Sequence, residues 1–95
     1  MPNIATKHDL IAYFTEKRKR SGKEGDIYYQ TLGEILDLLN STDDIAAIKS
    51  KVRSLHRRTL AEIQRTPDAE TRAEQRKQLG VYDDCLTQMR GLSAS

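Results

Sequence analysis

The chain has 95 residues, with 16 Lys and Arg against 14 Asp and Glu, 37% hydrophobic residues and no Trp. That size fits one domain over 1–95 with a modest core, and a formal charge of +2 is too small to argue for nucleic acid by itself. The one cysteine, Cys85, excludes an internal disulfide framework and an all-cysteine zinc site, and no run of ~20 apolar residues is present to span a membrane.

The first residues lack a secretory apolar segment, so a soluble, cytoplasmic protein is expected. Residues 1–5 and 92–95 read as flexible ends. Thr6 and Asp9 stand three apart, a spacing that lets the hydroxyl cap a helix while the carboxylate sits in its first turn. Leu10, Ile11 and Phe14 follow on one side, and the helix should end near Arg20, at Ser21-Gly22. Residues 21–30 read as a loop. Tyr28 and Tyr29 suit an extended stretch there or a helix starting at Asp26; the rings could stack on bases or anchor a protein interface, or one could pack in the core with the other at its edge.

Thr31 and Glu34 match a reciprocal capping box and mark the sharper helix start. Leu32, Ile35, Leu36, Leu38 and Leu39 then make a face wide enough for more than one neighbour. A third helix begins near Asp43, with Ser41 and Asp44 as a cap pair. Its seam of Ile45, Ile48, Val52, Leu55, Thr59 and Ile63 runs for ~30 Å. Thr66-Pro67 interrupts it, and Thr66 is the expected cap of a fourth helix. Leu79, Tyr82, Leu86 and Met89 form a stripe only in that helix's second half. The hairpin tip should therefore pack less firmly than its base. The expected fold class is all-α, a small four-helix bundle-like domain with a long antiparallel C-terminal helical hairpin. The first two helices should close over the hairpin's base.

Positive charge is concentrated in the third helix. At ~100° per residue, Lys49, Arg53 and Arg57 form one row, and Lys51, Arg58 and Arg65 form another across the apolar seam. Two such rows suit an acidic protein surface or a phosphate backbone. The plain alternative is a solvated face. A secondary basic patch, Lys17, Arg18, Lys19 and Arg20, resembles a short nucleic-acid or localisation motif. It equally fits cations at a helix C-terminus.

Residues 31–58 also fit the broad outline of a helix-turn-helix element. Asp43 and Asp44 at the leading end, and the length of the second helix, weigh against that. His8, His56 and Cys85 have no zinc spacing. Asp83-Asp84 and Asp43-Asp44 diverge too far around a helix to clamp a metal. No catalytic set, cofactor or metal is expected. Val81, Tyr82, Cys85, Met89 and Leu92 widen the apolar side of the fourth helix, which suggests a homodimer face. The reading is a non-catalytic accessory or regulatory protein that binds an acidic protein partner. The alternative is a DNA-binding regulator.

Overall fold

Thr6 and Asp9 begin the first helix reciprocally. The Asp9 amide donates to Thr6 Oγ1 at 3.1 Å, and the Thr6 amide donates to Asp9 Oδ2 at 3.2 Å. From this cap α1 runs over Lys7–Ser21, followed by α2 over Ile27–Ser41, α3 over Ile45–Arg65 and α4 over Ala69–Met89. The computed structural model describes residues 6–21, 25–90 and 92. The expected loose segment 1–5, the Gly22 helix stop and residues 93–95 lie outside the described residues. Leu92 does not belong to a loose end, because it is buried.

Each later helix starts on an aspartate. Asp26, Asp44 and Asp68 cap α2, α3 and α4 by accepting from the amides of Tyr28, Ala47 and Thr71. Such a cap contributes ~1 kcal/mol by satisfying amides the helix leaves open. Two expected boundaries therefore move. Thr31 does not start α2; it is buried one turn inside, its hydroxyl donating to the Ile27 carbonyl at 2.7 Å. Thr66 does not cap α4; its hydroxyl turns back to the Glu62 carbonyl at 2.7 Å and finishes α3.

Helices α1 and α2 pack against each other, α2 packs on α4, and α3 lies along α4. Polar contacts fix the directions. Arg18 meets Tyr29 at one end of the first pair and Lys7 meets Thr42 at the other, so α1 and α2 are antiparallel. Asp26 with Lys77 and Glu34 with Tyr82 place α2 and α4 in the same direction. The core takes Leu10 and Phe14 from α1, and Leu32, Ile35 and Leu39 from α2. The hairpin adds Ile48, Val52, Leu55, Val81, Tyr82, Cys85 and Met89, and Leu92 closes it.

That core ends partway along the hairpin. No residue from Leu60 to Gly80 is buried, so the distal turns project and draw the molecule out to 41 × 27 × 24 Å. Gln75 at the tip donates to Thr66 Oγ1, while its own amide oxygen is enclosed without a hydrogen-bond partner among the described residues. The weaker packing expected at the tip is observed.

Gly33 has a specific packing role. The Arg18 guanidinium lies 4.1 Å from the centre of the Tyr29 ring and donates to the Tyr29 carbonyl. A methyl group on residue 33 would meet Arg18 Nη2 at 2.7 Å. Alanine in a helix interior gains about 1 kcal/mol over glycine, so two effects oppose each other here. In a chain carrying Arg18→Ala, Gly33→Ala should stabilise by about 1 kcal/mol; with Arg18 present it should gain clearly less. Urea midpoints of the four chains measure this coupling, and an equal gain in both backgrounds would contradict the steric account.

Candidate functional site

The apolar seam of α3 is turned onto α4, and its cations are left outside. Arg53, Arg57, Arg58, Lys51 and Arg65 are exposed and Lys49 is half-buried. Helix α3 holds these six cations and one acid, Glu62. None of the six makes an ion pair with another described residue.

The two rows have different surroundings. On one flank, Lys49 and Arg53 meet the C-terminal half of α4 across a groove of about 210 Å³, completed by Asp83, Leu86, Thr87 and Arg90. His56 borders this flank, its Nε2 3.9 Å from Asp83 Oδ1. Arg57 continues the row one turn beyond Arg53, fully outside. On the other flank, Arg58 acts electrostatically on Tyr82, whose hydroxyl donates to Glu34 of α2 at 3.1 Å. Burial, followed by the neighbouring Glu34 carboxylate, holds the Tyr82 phenol well above its ordinary value.

The groove gathers three cations around one carboxylate. Its lining is mostly polar, with the half-buried Leu86 as the apolar member. An anion placed there would meet long cationic side chains that make no ion pair with another described residue. Arg90, Thr87 and Asp83 are the members that reading the sequence missed. Their signal was available in the hairpin: two antiparallel helices joined at 66–68 bring the start of α3 beside the end of α4.

The secondary basic patch is not one surface. Lys17 is held within the fold, donating to Asp84 Oδ2 at 2.6 Å and lying 5.5 Å from the Tyr13 ring centre. Burial opposes the charge on Lys17, but Asp84 outweighs it, and the ammonium pKa is raised. Arg18 is committed to Tyr29. Lys19 and Arg20 remain exposed, with Arg20 3.9 Å from Glu16 on the same helix.

No protein-family model, curated protein or solved structure matches this chain.

The expected homodimer strip also needs correction. Val81, Tyr82, Cys85, Met89 and Leu92 are each no more than 5% exposed. Helix α4 is covered by α2 and α3, and α1 reaches it through Tyr13 and Lys17 bound to Asp84. Its wide apolar side serves these neighbours inside one chain. Leu60, at 43%, is the exposed large hydrophobic among the described residues. Cys85 is fully enclosed, and burial with the nearby Asp84 pushes its thiol up to about 12. A thiol held neutral is a poor nucleophile. Among the described residues no cluster of three His, Cys, Asp or Glu could hold a metal ion, and no helix is long and apolar enough to cross a membrane.

Proposed function

We propose that this chain is a non-catalytic accessory or regulatory protein of the cytoplasm that binds an acidic surface of a protein partner through α3. The observation that carries the reading is the set of six α3 cations without an ion-pair partner among the described residues. Three acids that could have neutralised it are used elsewhere. Asp43 pairs with Lys7, Asp44 caps α3, and Asp84 holds Lys17. Such an array speeds encounter with a negative surface and selects against positive ones.

Duplex DNA is the competing ligand. Two features favour it less. Asp43 and Asp44 sit at the α3 N-terminus, the end a recognition helix leads into the groove. Helix α2 packs mainly on α1 and α4 and touches α3 only weakly.

The test compares the wild-type chain with Arg53→Glu/Arg57→Glu, using a fluorescein-labelled oligo-glutamate peptide and a labelled DNA duplex at low salt. Both substituted positions are exposed, so the thermal melt should be unchanged. Peptide affinity is expected to fall at least tenfold. Unchanged peptide binding, or tighter binding of the duplex than of the peptide by the wild type, would overturn the reading.

A further inference from the structure

Acidic recognition by α3 leaves open which part of the surface grips an individual carboxylate, and the two flanks are not equivalent there. On one flank Arg58 shares the surroundings of Tyr82 with Glu34 and Glu62. The Lys49/Arg53 flank is a concavity, and α4 adds Arg90, Thr87 and Leu86 to it. Resting on the function proposed above, we propose that the α3–α4 groove is a receptor for one glutamate side chain of an acidic partner segment. Its carboxylate is held between Lys49, Arg53 and Arg90, and its methylenes lie on Leu86.

Size supports a single side chain. The groove's volume of about 210 Å³ falls below the ~300–1,000 Å³ typical of sites for free small molecules. Charge supports an anion, because Lys49, Arg53 and Arg90 outnumber Asp83 in the lining. Composition supports glutamate, whose methylenes can lie on Leu86 of the lining. A bare phosphate group has no such apolar arm.

Asp83 gives the proposal a signature. It makes only a long contact to His56 and its side chain is 74% exposed, so the fold does not depend on it. As a rim carboxylate it opposes the incoming one. Asp83→Asn should tighten oligo-glutamate binding about fivefold at low salt. Glu70→Gln makes the same change in net charge on an exposed position at the far end of α4 and should leave affinity within about twofold. Arg90→Gln, also exposed, should weaken binding about fivefold.

Fluorescence anisotropy with the labelled oligo-glutamate peptide reads all three variants beside Arg53→Glu/Arg57→Glu. Asp83→Asn tightening alone while Arg90→Gln weakens supports the groove. Equal tightening by Asp83→Asn and Glu70→Gln overturns it, because net charge then explains the gain. Loss of binding in Arg53→Glu/Arg57→Glu with Arg90→Gln and Asp83→Asn both silent overturns the groove and leaves the function proposal standing. Silence of all four chains overturns both.

Discussion

Raising the pH from 9 towards 12 is expected to unfold the chain cooperatively. Cys85 sets the onset: its thiol has an ordinary value of 9.0 and is pushed up to about 12 by burial and by Asp84. Tyr82 is raised by burial and Glu34, and Tyr13 by burial and Asp84. Lys17 is raised because Asp84 outweighs its burial. In all four the folded state keeps a proton that the unfolded chain releases earlier. The stability these groups contribute is therefore complete below the unfolded values and lost as pH rises through the folded ones. The enclosed Cys85 changes stability by about 1.4 kcal/mol per pH unit within its window, whereas Tyr13 and Lys17 are partly exposed and solvent screening reduces their share. For Cys85 alone, a window of roughly three units makes the total loss on the order of 4 kcal/mol.

Circular dichroism and phenolate absorbance should change together in an alkaline titration. A Cys85→Ala chain should begin to lose stability about one unit later, where the tyrosines take over. A fold that survives to pH 12 with Tyr82 ionised would contradict the burial of that ring. No comparable collapse is expected in acid. Asp43 and Asp68 have lowered values, from Lys7 and Thr71 respectively, so what they contribute is lost as pH falls through those values. Both are fully exposed and solvent screens them.

Phe14→Ala is expected to cost about 4 kcal/mol. Phe14 is the chain's only phenylalanine and its largest fully buried side chain. Its neighbour Tyr13 presents a ring edge-on, with centroids 5.0 Å apart. Truncation removes the larger of the two fully buried α1 side chains, leaving Leu10 alone in the core from that helix, and opens a cavity. A domain of this length has a total stability on the order of 5–14 kcal/mol, so the variant should be partly unfolded on mild heating. The urea midpoint should fall with little change in slope. Phe14→Leu, which keeps most of the volume, should lose less than about 1.5 kcal/mol. A loss below 1 kcal/mol on truncation would show that α1 is dispensable to the core.

Much of this architecture could be read from spacing. The seam Ile48, Val52, Leu55 and Thr59 is buried as its three- and four-residue steps require, and the polar tip follows from where the α4 stripe stops. The errors arise where a local signal competes with a distant one. Thr31 with Glu34 has the form of a helix start, but Thr31 lies in the core and Asp26 supplies the cap. Val81 and Cys85 widen α4 beyond what one neighbour needs, and the sequence does not say whether the extra cover comes from the same chain. Lys17 and Arg18 look like free charge until Asp84 and Tyr29, far from them in sequence, are placed beside them. The α3 cations were legible for a simple reason: they need no partner in order to be outside. The groove was not, because Arg90 joins Lys49 and Arg53 only through the antiparallel register of the hairpin.

The early end of the core makes hairpin length a free variable. Between Leu60 and Gly80 no residue is buried, so removing matched turns from both arms on the tip side of Lys77, which meets Asp26 at 3.8 Å, would leave every core residue and the groove in place. About seven residues, or two turns, from each arm preserves which face points inward. Related chains could differ in reach while keeping the same core, and a fluorescent or affinity module could be spliced at Thr66–Asp68, far along the hairpin from the groove between Lys49, Arg53 and Arg90.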